Sequence, residues 1–192
     1  MLSPGYDWQK GLPAAADEIR AVLARYPRTA ELPPAPSTFA ALRAVRADVL
    51  HIAGHTNEEP GSGDRILVLT GASGTVERVS WSTIAGARPL RTGVVVLAAC
   101  ETLRRPASPL THAPSLGAAF SAAGATDVIG TLTPIADRDA RTLFETVHRE
   151  LAAGAEPAQA VRTAQMLAIR QQRPAAWRGV AVLTRHIAPF SR

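Results

Sequence analysis

The segment Thr92-Gly-Val-Val-Val-Leu-Ala98 constrains this chain more than any other. Its three consecutive valines leave it no polar face. A β-branched run that is apolar on both sides belongs in the middle of a mostly parallel sheet, covered above and below. Parallel strands need long, usually helical, crossovers between them. The rest of the chain supplies them. Residues 14–26 place Ile19, Val22, Leu23 and Tyr26 at helical spacing, and residues 37–46 repeat that period from Ser37, a residue suited to an N-cap. Asp48–Ala53 reads as a short buried strand. Arg65–Leu69 and Thr75–Val79, flanking Gly71–Gly74, read as a hairpin or as paired short strands. One or two helical turns are expected over Ser80–Ala85. A helix is expected over Pro114–Ala123, stopped by Gly124, followed by a strand at Asp127–Gly130. Helices over 137–152 and 157–172 and a strand over Gly179–Thr184 complete the alternation. Helices alternating with apolar strands define an α/β fold.

Length and composition bound the possibilities further. The chain has 192 residues, 46% hydrophobic and 19% charged, which suits a single globular domain over 1–192 and excludes an intrinsically disordered chain. The longest apolar run is far too short to span a bilayer, so no membrane role is expected. No secretory leader is legible at the start. The single cysteine, Cys100, excludes an intrachain disulfide framework and a Cys-rich zinc module, and points to a reducing, cytoplasmic setting. The only lysine is Lys10, so there is no phosphate-binding Gly-Lys-Ser/Thr loop. Gly61-Ser-Gly63 lacks the third glycine of a dinucleotide fingerprint and does not lie between a strand and a helix. The net charge of +5 comes from scattered arginines, with only Arg104-Arg105 adjacent, and aromatics make up 5%. Nucleic-acid binding is disfavoured on that pattern.

In an open parallel sheet, reactive groups gather at the carboxyl ends of the strands. Two strands end in such groups. Val49–Gly54 is followed by His55, and Val94–Ala99 by Cys100. A thiol and an imidazole delivered from one sheet edge are the parts of a cysteine nucleophile and its proton carrier. Taken singly, Cys100 reads as a small buried hydrophobe and His55 as a structural histidine; their joint placement argues otherwise. His51 and His55 also have the spacing of a helical metal pair, but their surroundings read as strand and no third ligand lies nearby. His51 is expected to be buried and hydrogen-bonded.

These residues carry a resemblance. Asp48-Val-Leu-His-Ile-Ala-Gly-His55 followed by Val94-Val-Val-Leu-Ala-Ala-Cys-Glu-Thr102 resembles the CHAT family of caspase-like peptidases, relatives of separase. Leu12-Pro13-Ala14 with Glu18 resembles the family's LPxAxxE segment. Gly124-Ala-Thr-Asp-Val-Ile-Gly-Thr131, then Asp137, resembles its GAxxVIGTLW…D stretch. Ala160-Val-Arg-Thr-Ala-Gln165 resembles its ALRxAQ helix, and Trp177 its late tryptophan. The motifs fall in family order from Leu12 to Leu183.

The resemblance implies a caspase-like three-layer sandwich, with a mostly parallel central sheet and helices on both faces. It implies a cysteine endopeptidase with Cys100 as nucleophile, His55 as its partner, and backbone N–H groups of Cys100 and Thr56 as the oxyanion hole. No metal or organic cofactor is implied. The implied partners are a protein or peptide substrate and a regulatory repeat or sensor module, in bacterial signalling, defence or programmed cell death. The chain departs from the family at Thr56, where the pattern has glycine, and at Thr133, where it often has tryptophan. Thr56 restricts the backbone where glycine would not. The family also has a strand before LPxAxxE, where only the short stretch Met1–Gly11 stands here. An incomplete sheet, open to oligomerisation, is the expectation from that difference. The alternative to an enzyme is a non-catalytic interaction module on the same fold. Among residues near the site, Asp64 and Glu101 are the expected substrate-binding acids; Glu58, Glu59, Arg104 and Arg105 are further charged neighbours.

Overall fold

A computed structural model describes residues 13–32, 38–71, 75–87, 89–106, 113–173 and 175–185. The helices are α1 (Pro13–Leu23), α2 (Phe39–Ala44), α3 (Trp81–Ala85), α4 (Leu116–Ala123), α5 (Asp137–Ala152) and α6 (Pro157–Arg170). The strands are β1 (Ala47–Ala53), β2 (His55–Glu58), β3 (Arg65–Thr70), β4 (Val76–Val79), β5 (Thr92–Ala98), β6 (Asp127–Thr131) and β7 (Val180–Thr184). A 3-10 turn over Ala175–Gly179 leads into β7.

The main sheet has the order β1-β5-β6-β7. The valine-rich β5 lies between β1 and β6 and is parallel to both, as its sequence requires. Its side chains alternate between two cores. Val95 and Leu97 join Leu50, Ile52 and Val128 under α2, α3 and α4, together with Phe39, Ile84 and Phe120. Val96 and Ala98 join Ala53 and Ile129 under α1, α5 and α6, with Ile19, Phe144 and Val161. Burying each of the larger side chains contributes about 1.5–3 kcal/mol. Two cores on opposite faces of one mostly parallel sheet make a three-layer α/β sandwich of the caspase-like form.

β7 runs antiparallel to β6. The reason is the crossover. One helix after β6 would return the chain for a parallel strand, but α5 and α6 pack against each other as a hairpin and turn it once more. Gly154 makes the turn between them at φ +88°. The Gln165 side chain then donates to the carbonyls of Trp177 and Val180 and fastens α6 to the entry of β7. Two elements of the resemblance, the late tryptophan and the ALRxAQ helix, thus meet at one joint.

Helix starts follow the side-chain capping rule. Thr38, Ser80 and Ser115 accept from the N–H groups of Ala41, Thr83 and Ala118. The cap of α2 is therefore Thr38 rather than Ser37, which lies outside the described residues, as do Met1–Leu12 and residues 72–74. Gly124, at φ +135°, ends α4 as expected.

One element was not expected. The polar stretch after Gly54 forms β2, which pairs antiparallel with β3 in a second sheet of order β2-β3-β4. His-Thr-Asn-Glu is too short and too polar to read as a strand. Its extended form comes from its pairing partner in β3, and pairing context overrides intrinsic preference in sheets. No helix among the described residues is long and apolar enough to cross a membrane.

Candidate active site

β1 and β5 run in parallel register, with Ala53 opposite Ala98. The two segments stay together beyond the sheet. The Gly54 N–H donates to the Ala98 carbonyl at 3.3 Å. Two residues on, the Thr56 hydroxyl donates to the Cys100 carbonyl at 2.5 Å. His55 and Cys100 therefore leave neighbouring parallel strands at the same end, each two residues past its strand. Both are partly buried. Cys100 Sγ lies 3.7 Å from the Ile135 carbonyl, in the connection between β6 and α5.

The turn that carries Cys100 is held from several directions. Thr131 Oγ1 donates to the Ala99 carbonyl at 2.7 Å, and the Thr131 N–H donates to Thr102 Oγ1 at 3.0 Å. The Leu103 N–H returns to the Thr131 carbonyl at 2.8 Å, and the Gly117 N–H donates to the Thr102 carbonyl at 2.9 Å. These bonds enclose Glu101, which sits at φ +55°. A non-glycine residue in that region is strained and persists only where its surroundings fix it. Gly130 is part of the same arrangement: a Cβ there would lie 2.4 Å from Thr102 Oγ1 and 3.0 Å from Leu103 Cγ. Thr102 is fully buried and cannot swing aside. Gly130→Ala is expected to displace it at a cost of about 1–3 kcal/mol. Thermal denaturation checks this; an unchanged melting temperature would mean that the turn adapts.

The backbone at Thr56 is unstrained. Among the described residues only Glu101 and Gln172 are non-glycines at positive φ. Thr56 lies in β2 opposite Leu67, where extended backbone suits a β-branched residue, so the expected restriction costs nothing here.

Neither acid nominated for substrate binding is a free carboxylate. Glu101 is buried, and its two oxygens accept from Arg65 and Arg104. Arg65, itself mostly buried, also meets Glu58 at 3.3 Å. Asp64 Oδ2 accepts from the Trp81 indole at 3.3 Å. Glu59 pairs with Arg78 at 3.1 Å. Arg105 is exposed.

His51 is buried and engaged, as its place inside β1 implies. His51 Nδ1 lies 3.0 Å from His148 Nε2, and His148 Nδ1 lies 2.8 Å from the Tyr26 hydroxyl. His51 Nε2 lies 2.9 Å from Glu18 Oε1. That last contact is close but off the line of a hydrogen bond, and neither atom has another partner. One set of tautomers satisfies the chain: Tyr26 donates to His148, His148 donates to His51, and the remaining His51 proton faces Glu18. Sequence reading missed these partners, although a signal existed. Glu18 falls on the apolar stripe of α1 with Ala15, Ile19 and Val22, and His148 on that of α5 with Phe144 and Val147. A polar residue on a buried stripe calls for a buried partner.

Burial, reinforced by the neighbouring His51, holds the His148 imidazole well below the usual histidine range. Burial also pushes the Tyr26 phenol up to about 12, so it stays a donor. The unfolded chain takes up a proton at His148 near its ordinary value, about 6.5, while the folded chain resists it. His148 thus supports folding fully above that value and loses this contribution as pH falls below it. The melting temperature is expected to drop between pH 7.5 and 5, and to drop less in His148→Gln. Equal slopes in the two proteins would contradict this.

The class of protein follows from these observations: a caspase-like α/β sandwich with a histidine and its sole cysteine at adjacent ends of parallel strands. The sequence matches the CHAT domain family over residues 5–188, nearly its whole length, and the chain belongs to that family. No curated protein gives a significant match.

Proposed function

We propose that this chain is a cysteine endopeptidase that hydrolyses peptide bonds through a Cys100–His55 dyad. The observation that carries the reading is the tie between Thr56 and Cys100 beyond the paired ends of β1 and β5. It keeps the histidine-bearing and cysteine-bearing segments in contact where a parallel sheet offers its functional edge.

In this mechanism His55 takes the thiol proton and Cys100 Sγ attacks the carbonyl carbon of the substrate. The C–N bond breaks as His55 returns the proton to the leaving amine. Water, deprotonated by His55, then hydrolyses the thioester and frees Cys100. Backbone N–H groups of Cys100 and Thr56 stabilise the oxyanion, a role that depends on the backbone and not on the side chain. Every step uses groups of the chain, water and the substrate.

On this reading substrate passes beside Glu101 and Asp64. Because Glu101 is committed to Arg65 and Arg104, a substrate side chain there meets the arginines that Glu101 holds. A protein substrate, a regulatory sensor or repeat module, and a role in bacterial cytoplasmic signalling, defence or cell death complete the proposal. They rest on membership of the family. A quenched-fluorescent peptide library tests it. Wild type should cleave a subset of sequences. Cleavage of none, or cleavage retained in Cys100→Ala, would contradict the proposal.

A further inference from the structure

We propose that the Thr56 hydroxyl is a positioning group that ties the strand carrying His55 to the turn carrying Cys100, and so sets the geometry of the dyad. This rests on the peptidase reading above for its catalytic consequence, but the tie itself rests on contacts in the fold.

β5 ends at Ala98, so the next two carbonyls lie beyond the strand pairing of the sheet. Each accepts from a threonine hydroxyl instead. Thr131, at the end of β6, serves Ala99. Thr56, in β2, serves Cys100. The turn is thereby gripped from both sides immediately before Glu101, the residue at φ +55°. The Cys100 carbonyl and the Cys100 side chain branch from the same Cα. Holding the carbonyl restrains the plane of the following peptide and the Cα–Cβ direction from which the thiol projects. The donor belongs to the residue after His55, so the same bond registers the imidazole's backbone against the thiol's. A glycine at this position would have no hydroxyl to offer, so the tie depends on the Thr56 side chain and not on its backbone alone.

The alternative is that the hydroxyl only satisfies a buried carbonyl. The two differ in what they predict for reactivity. A catalytic geometry displaced by about 1 Å costs roughly a hundredfold in rate, whereas a merely structural bond changes stability alone.

The test uses Thr56→Ser, which keeps the hydroxyl, and Thr56→Val and Thr56→Ala, which lack it. Cys100 is the only cysteine, so the iodoacetamide adduct that is absent from a Cys100→Ala control reports on that thiol. Alkylation rate is measured against pH by intact mass, and kcat and KM are measured on the best peptide from the library. Melting temperatures identify the variants that are folded, and the comparison is made among those. The serine variant should stay within about twofold of wild type in both readouts, while loss of the hydroxyl should lower kcat roughly ten- to a hundredfold with KM little changed. The alkylation rate should fall in parallel in Thr56→Val and Thr56→Ala, because the imidazole no longer sits where it assists the thiol. The proposal is overturned if a folded variant without the hydroxyl matches wild type. It is also overturned if Thr56→Ser departs from wild type as far as the others. If wild type cleaves no peptide, the peptidase reading fails, while the alkylation series still decides whether the hydroxyl positions the thiol.

Discussion

Replacing Cys100 by alanine should remove proteolysis while leaving the fold almost untouched. The substitution deletes one sulfur from a partly buried position just past a strand end, where it makes a weak hydrogen bond to the Ile135 carbonyl. Loss of so small a contact costs about 1 kcal/mol or less. For a chain of this size that corresponds to a melting-temperature change of at most about 2–4 °C. The loss in turnover should be at least about 10⁴-fold, and His55→Ala should fall to a comparable level, because groups that act as a unit fail together. Peptide cleavage and thermal denaturation on the same preparations check both halves. A Cys100→Ala protein that is inactive only because it is unfolded would not satisfy the prediction.

The largest effect on stability is expected far from that edge. Glu18→Ala leaves the His51 ring facing an empty space inside the core, with its Nε2 proton unmatched. Both side chains are almost completely buried. Leaving a buried donor unmatched costs about 1–3 kcal/mol, and the cavity left by the lost side-chain atoms adds about 2 kcal/mol, for a total of about 3–5 kcal/mol. At about 2–4 °C per kcal/mol, the melting temperature should fall by roughly 6–20 °C. Glu18→Gln, which keeps the shape and an acceptor oxygen, should fall less. Chemical denaturation measures the difference, and a loss below about 1 kcal/mol would show that the off-line contact contributes little. The prediction also gives a physical reason for the glutamate of the LPxAxxE segment. It matches a buried histidine and takes no part in the proposed chemistry.

Much of the architecture was legible because local signals and burial agree in this chain. The triple valine of β5 specified a strand covered on both faces, and the two cores on either side of it follow. Serine and threonine caps and Gly124 set helix ends by local rules. β2 was hidden because its four residues carry no strand pattern, and it exists through pairing with β3. The antiparallel sense of β7 depends on the α5–α6 hairpin, which periodicity along the chain does not reveal. At the site, His55 and Cys100 were visible as polar residues closing apolar strands. The roles of Thr56 and Thr131 were not, since hydroxyls that replace ladder bonds are recognised only once the neighbouring strands are in place. Glu101 read as a substrate-binding acid beside the nucleophile, but a left-handed backbone and two arginines draw it inward.

The most direct test of the Cys100–His55 assignment is the rate at which a peptidyl acyloxymethyl ketone, bearing the sequence preferred in the library, modifies the protein. Intact mass reports the adduct, and the single cysteine removes any ambiguity of site. The dyad predicts one equivalent of label on wild type, formed far faster than on the urea-unfolded chain. It predicts no label on Cys100→Ala, and a rate on His55→Ala close to that of the unfolded thiol. A wild-type rate no greater than that of the unfolded chain, and indifferent to His55→Ala, would contradict the assignment.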